Sequence, residues 1–106
     1  AGKLDLNFTK VDLNELTQQC VALMQPQANR ERVIIRTSLA ASVQPIVADA
    51  RSVRQIVLNL LSNSIKFTRA GGQIIVSTAG NDVGVEALVY HPEEFILRTE
   101  ERLDFA

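Results

Sequence analysis

Four polar residues recur at helical spacing in the second half of the chain: Gln55, Asn59, Asn63 and Lys66. At about 100° per residue they fall within an arc of roughly 80° on a single helix. Asparagine is a mediocre helix former, so two of them on one stripe indicate a surface shaped for something other than water. Their amide groups offer hydrogen-bond donors and hard oxygen ligands, and the lysine adds a compact positive charge. The alternative is an ordinary solvated helix face.

The segment that carries this stripe is predicted to be a helix from about residue 50 to residue 67. Its neighbouring face is expected to pack on a sheet and consists of Val53, Ile56, Val57, Leu60, Leu61, Ser64 and Phe67. Asp49 is predicted to cap its N-terminus. Gly71 and Gly72 are expected to stop it, because glycine readily adopts the left-handed conformation that ends many helices.

The rest of the chain alternates between strand and helix patterns. A helix is predicted from about 12 to 31, with Asp12 and Glu15 at capping-box spacing and Pro26 as a kink or a stop. Strands are predicted at 4–8, 33–37, 45–49, 73–78 and 85–90, with a hairpin turn at 80–84 and a short charged helix at 93–103. This order predicts an α+β fold, a two-layer sandwich with helices on one face of a mixed sheet.

Composition narrows the classes of protein that this chain can be. Its 106 residues fit one small domain, and 11 basic against 12 acidic residues leave no cluster that could bind nucleic-acid phosphates. The lone Cys20 excludes a disulfide framework or a cysteine metal site within the chain, and we expect it in the core. Apolar runs are too short to span a membrane. The chain starts Ala-Gly-Lys, so we interpret it as a piece of a longer, cytoplasmic protein.

The flanking residues turn the polar stripe into a recognisable motif. Gln55-x-x-x-Asn59-Leu60-x-x-Asn63-x-x-Lys66-Phe67-Thr68, followed by Gly71-Gly72, resembles the N box of the ATP-binding domain of sensor histidine kinases. The residues that resemble the usual approach to this box are Gly2-Lys3-Leu4, Asp12-Leu13, Pro26-x-Ala28 and Ala48-Asp49. The resemblance covers residues 1 to about 90 of a single domain, 1–106, and leaves 91–106 as a divergent tail. It implies the Bergerat-type fold shared with DNA gyrase B, Hsp90 and MutL, in an incomplete form.

The resemblance also implies roles for four residues of the motif. Asn63 stands in the position of a Mg²⁺ ligand, where one amide oxygen suffices if the phosphates of ATP supply further ligands. Lys66 would meet a phosphate, and Phe67 stands where relatives place an aromatic near the adenine, although core packing remains open for it. Asn59 stands where hydrolysing relatives have a glutamate base. Because an amide cannot take a proton from water, we expect phosphoryl transfer to a histidine and not ATP hydrolysis.

One part of the family pattern is missing from the sequence. An Asp-x-Gly-x-Gly box, whose aspartate bonds the adenine, should follow the strand 85–90, and His91-Pro92-Glu93-Glu94-Phe95 stands there instead. A partial match at Asp82-Val-Gly84 is interpreted as a turn. We therefore expect little ATP binding and negligible kinase activity from this chain alone. His91 is set aside as a phosphoacceptor, because the family's acceptor lies on a separate upstream helix.

Two hypotheses of different classes follow, because the sequence has the N box and lacks the adenine-binding box. The first is the catalytic domain of a sensor histidine kinase in a two-component phosphorelay, with ATP and Mg²⁺ as cofactors. Its partners would be the histidine-bearing dimerisation domain of the parent kinase and a response regulator, with no nucleic acid and no direct membrane contact. It would be cytoplasmic, with a membrane anchor of the parent left open. The second is a degenerate interaction module of a pseudo-histidine-kinase that no longer binds nucleotide. A gyrase-like or chaperone-like ATPase is disfavoured by Asn59.

Overall fold

The computed structural model describes residues 6–80, 82–90 and 96–105, and the side chains of 6–80, 82–86 and 101–105. Its elements are β1 (Phe8–Val11), α1 (Leu13–Arg30), β2 (Ile34–Ser38), β3 (Ile46–Asp49), α2 (Ala50–Phe67), β4 (Gln73–Ala79), β5 (Asp82–Tyr90) and β6 (Ile96–Asp104). Neither helix in this part of the chain is long and apolar enough to cross a lipid bilayer.

The strands form two sheets. The larger has the order β2-β4-β5-β6, in which β2 runs parallel to β4 and the other pairs are antiparallel. The smaller pairs β1 with β3 in antiparallel fashion, from Phe8 opposite Asp49 to Val11 opposite Ile46. The connection from β2 to β4 passes through β3 and α2, which is the long crossover that a parallel pair requires. The predicted α+β fold, with two helices on one face of a mixed sheet, is confirmed.

The core lies between the helices and one face of the larger sheet. Along β4, Ile74, Val76 and Thr78 are buried, whereas the alternate residues are only partly covered. The apolar residues buried with them are Leu13, Leu16, Cys20 and Ala28 of α1, Val53, Val57, Leu60, Leu61 and Ile65 of α2, and Val83 and Val85 of β5. Cys20 is thus a core residue, as expected.

Both helices begin and end within one residue of the predicted bounds, but the way they are capped differs in part from the prediction. Asp12 caps α1, and its Oδ1 accepts a hydrogen bond from the Glu15 backbone N–H at 3.2 Å. Pro26 lies inside α1 and does not end it. Asp49 precedes α2, but its carboxylate accepts from the Ser52 hydroxyl at 2.8 Å and makes no cap bond to the backbone. The C-cap of α2 is Thr68, in an extended conformation, and Gly71, with φ at +89°, lies in the turn that follows; the predicted glycine stop is therefore wrong.

Three predictions about strands and turns are wrong. The segment 93–103, predicted as a charged helix, overlaps β6 from residue 96 on, and its residues 93–95 lie outside the described residues. β6 pairs with β5 from Ile96 opposite Tyr90 to Asp104 opposite Asp82. Backbone pairing along this edge of β5 outweighs the modest helix preference of Glu and Arg. The hairpin turn is also shorter than predicted, because Asp82 already pairs with Ala79. The first strand is β1, which begins only at Phe8, where its pairing with β3 starts; residues 4 and 5 of the predicted strand lie outside the described residues.

Candidate functional site

The polar stripe lies on the solvent face of α2. The side chains of Gln55, Asn59, Asn63 and Lys66 are all exposed. The helix is held in this orientation because Val53, Val57, Leu61 and Ile65, which recur every fourth residue, are buried on its other side. Burial of the apolar face therefore presents three amides and a cation together to solvent.

Contacts along the stripe leave some of its groups available for binding. The Nε2 of Gln55 donates a hydrogen bond to Oδ1 of Asn59 at 3.0 Å. One turn further on, the Asn63 side chain makes no hydrogen bond within the described part of the chain. The Nζ of Lys66 lies 5.6 Å from the centre of the Phe67 ring. The amide of Asn63 and the ammonium of Lys66 can thus meet a ligand without breaking a hydrogen bond.

Two residues predicted to pack on the sheet lie beside the stripe instead. Ile56 is 43% exposed and Phe67 is 78% exposed, whereas Ile65, which was not assigned to this face, is fully buried. Helical angles place the buried face about 50° from the predicted one. The buried face is shifted because α1 covers the side of α2 that carries Arg54. Gln19 of α1 accepts a hydrogen bond from Nη2 of Arg54 at 3.1 Å, and Cys20 donates one to the Arg54 carbonyl oxygen at 3.9 Å. Phe67 is therefore not a core residue.

The exposure of Ile56 gives the stripe an apolar border that the sequence analysis missed. The sequence did contain a signal for this border, because Ile56 lies only about 60° from Asn59 around the helix axis. Together the surface combines two apolar side chains, three amides and a lysine. Such a surface suits a ligand with a flat apolar part and an anionic part.

The side chains present fit the metal and phosphate half of a nucleotide site. Among the described residues, no group of three His, Cys, Asp or Glu side chains could hold a metal ion. A cation bound here would take the amide oxygen of Asn63 and oxygens from outside the protein, which is the usual situation for Mg²⁺ on ATP phosphates. Lys66, one turn away, places a positive charge on the same exposed face.

The adenine half is not supplied by the partial motif at Asp82-Val-Gly84. These residues belong to β5 and not to the predicted turn. Val83 is buried toward the helices, so Asp82 and Gly84 face the other side of the sheet, away from α2. A Cβ at Gly84 would lie 2.5 Å from Nη1 of Arg102, whose Nε is 3.7 Å from Oδ2 of Asp82. The absence of a side chain at Gly84 thus leaves room for the side chain of Arg102. His91 and the rest of 91–95 lie outside the described residues.

Sequence comparison relates the chain to histidine kinases. It is 58% identical over 79 residues to the cell-division control histidine kinases PdhS of Brucella abortus and Brucella canis. The match covers 74% of this chain and 8% of the length of those proteins. No family model matches the sequence.

Solved structures with the same fold are also histidine kinases. The cytoplasmic segment of QseC aligns with a TM-score of 0.78 at 14% identity, covering 94% of this chain and 78% of that one. Full-length ShkA in complex with AMPPNP aligns with a TM-score of 0.68 at 28% identity, covering 87% of this chain and 20% of that one. ThkA in complex with the response regulator TrrA aligns with a TM-score of 0.63 at 23% identity, covering 76% and 25%.

Sequence and fold therefore agree on one family. The curated relatives are histidine kinases, and the structural neighbours include the cytoplasmic segment of one. The resemblance is confirmed: the chain is homologous to part of the PdhS kinases and has the ATP-binding domain fold of a sensor histidine kinase.

Proposed function

We propose that this chain supplies the Mg-ATP-binding face of a sensor histidine kinase. The parent protein would transfer the γ-phosphoryl group of ATP to a histidine on a separate dimerisation domain, and from there to a response regulator. The observation that carries the proposal is the exposed stripe on α2, in which Asn63 and Lys66 have groups free to bind beside the exposed Phe67. Homology to the PdhS kinases supports it.

Asn59, Asn63 and Lys66 of the stripe, together with Phe67 beside it, have distinct roles in this proposal. The amide oxygen of Asn63 would ligate Mg²⁺, which when bound neutralises charge on the phosphates. Lys66 would bind a phosphate oxygen, and the ring of Phe67 would cover an apolar face of the nucleotide. Asn59 would donate a hydrogen bond and would not act as a base, because an amide does not accept a proton at neutral pH. Phosphoryl transfer by positioning and charge neutralisation is thus favoured over hydrolysis.

The molecules bound to two of the structural neighbours support this proposal. ShkA was solved with the nucleotide analogue AMPPNP, and ThkA with a response regulator. We propose a nucleotide and a response regulator as partners of the parent protein here, acting in the cytoplasm. Because the sequence has His91-Pro92-Glu93-Glu94-Phe95 where the adenine box is expected, this chain by itself should have negligible kinase activity.

Calorimetric titration with Mg-ATP tests the proposal. We expect weak but saturable binding that depends on Mg²⁺ and is lost in Asn63→Ala, because the metal and phosphate half of the site is present and the adenine box is missing. Asn29→Ala is the matched control, since Asn29 is an exposed asparagine on α1 outside the stripe, and it should bind as the parent chain does. Heat that is unchanged in Asn63→Ala would contradict the assignment of the site. Phosphorylation of an added dimerisation domain by this chain alone would contradict its expected inactivity.

The second candidate is an interaction module that has lost nucleotide binding. Glu93 and Glu94, which replace residues of the expected glycine box, favour it, because two carboxylates near the phosphates would repel a polyanion. This hypothesis predicts no heat with Mg-ATP at millimolar concentration. In that case the fold of the kinase domain would serve as a docking surface.

A further inference from the structure

We infer that Gln55 is a positioning residue for Asn59, and that it fixes which end of the Asn59 amide faces a bound phosphate. This inference rests on the proposed function, because it concerns the same surface of α2. It adds a residue to which the sequence motif assigns no role.

The geometry gives Gln55 a definite effect on its neighbour. Its Nε2 donates to Oδ1 of Asn59 at 3.0 Å, across one turn of an exposed helix face. The oxygen and the nitrogen of an asparagine amide diverge from the same carbon. A hydrogen bond that holds Oδ1 toward Gln55 therefore turns the NH₂ group of Asn59 away from it. The stripe then presents a donor from Asn59 and a cation from Lys66.

Phosphate oxygens accept hydrogen bonds and do not donate them, which makes the amide orientation important. With the NH₂ group outward, Asn59 can donate to a phosphate; with the oxygen outward, it would repel one. Asn63 is different, because its side chain makes no hydrogen bond within the described chain and its oxygen is available to a cation. Gln55 thus separates the roles of two chemically identical side chains.

The chain contains a matched pair without any assigned function. On α1, Nε2 of Gln25 donates to Oδ1 of Asn29 at 3.0 Å, with the same spacing of four residues. Such pairs stabilise helices slightly wherever they occur. If Gln55 only stabilised its helix, its loss and the loss of Gln25 would have equivalent effects. The Gln25 pair therefore provides the control.

A double-mutant cycle on the full chain separates positioning from direct contact. The variants are Gln55→Ala, Asn59→Ala, their combination and Gln25→Ala, and the readout is the dissociation constant for Mg-ATP. An exposed amide pair four residues apart orients its members only slightly, so we expect a loss of about twofold in affinity for Gln55→Ala. In the Asn59→Ala background the same change should have no further effect. Gln25→Ala should bind as the parent chain does.

Side-chain amide NMR provides a readout that does not depend on nucleotide. In the free protein, Asn59→Ala should shift the side-chain NH₂ resonances of Gln55, because that group loses the Oδ1 acceptor to which it donates. Unchanged Gln55 resonances would show that Gln55 does not donate to Asn59, and would overturn the inference while leaving the proposed function intact. A full loss of affinity on adding Gln55→Ala to Asn59→Ala would also overturn it, since Gln55 would then contact nucleotide itself. If the parent chain shows no Mg-ATP binding at millimolar concentration, the proposed function fails, and the inference fails with it.

Discussion

The ammonium nitrogen of Lys66 lies 5.6 Å from the centre of the Phe67 ring, and 78% of Phe67 is exposed to solvent. The last turn of α2 thus ends in a cation over an open aromatic face. An exposed pair of this kind contributes about 0.5–1 kcal/mol, far less than burial of a phenylalanine would. Phe67 is therefore free to cover a ligand.

Replacement of Phe67 by alanine should affect binding more than folding. We expect the free energy of unfolding to fall by less than about 1 kcal/mol, because only the contact with Lys66 is lost. Its neighbour Ile65 is fully buried, so Ile65→Ala should cost about 2–5 kcal/mol. Urea unfolding of both variants measures the difference. Equal losses would mean that the Phe67 ring is buried in solution.

Replacement of Thr17 by valine should stabilise the protein. Thr17 is fully buried on α1, and its hydroxyl has no hydrogen-bond partner within the described chain. A buried hydroxyl without a partner costs about 1–3 kcal/mol, and valine has nearly the same shape. We expect a gain of about 1 kcal/mol in the free energy of unfolding. A clear loss of stability in urea unfolding would show that the hydroxyl is bonded in solution.

The same replacement at Thr78 should have the opposite sign. Its hydroxyl accepts from the Ala40 backbone N–H at 3.0 Å and donates to Oδ1 of Asn14, while Nδ2 of Asn14 donates to the Ala40 carbonyl at 2.8 Å. This ring ties β4 to α1 and to the loop after β2. Thr78→Val removes two of its bonds and should cost about 1–3 kcal/mol by thermal unfolding.

Thr37 provides the control for Thr78→Val. Its side chain is exposed on β2, so Thr37→Val should change stability by less than about 0.5 kcal/mol. If Thr78→Val proved as neutral as this control, the ring would not contribute to stability.

Cys20 should make stability depend on pH in the alkaline range. Burial raises the pKa of its thiol above the ordinary value of 9.0, against a smaller opposing effect of the Arg54 charge. The unfolded chain then loses the thiol proton at lower pH than the folded one. Its contribution to stability is complete below pH 9.0 and is lost as pH rises through the folded pKa.

Comparison with Cys20→Ala isolates this effect, since the other titrating groups are common to both proteins. Urea unfolding between pH 8 and pH 11 should show a steeper loss in the parent chain than in Cys20→Ala. Parallel curves would mean that the thiol pKa is the same in the folded and unfolded states.

Local sequence patterns determined the parts of this protein that depend on neighbouring residues. The periodicity of α2 predicted its bounds and the exposure of Gln55, Asn59, Asn63 and Lys66, because spacing along one helix decides which side chains share a face. The Asp12 cap depends only on a side chain and a backbone N–H three residues away, and it too was predictable.

Other features were decided only by contacts between distant segments. The sequence did not show that α1 would cover the Arg54 side of α2. Ile56 and Phe67 were therefore expected to pack on the sheet, and both are exposed. The segment 96–104 has a composition that suits either a helix or a strand, and pairing with β5 makes it a strand. Sequence by itself thus determined the amide stripe and the family. Tertiary structure decided what borders the stripe, because burial depends on elements far apart in the chain.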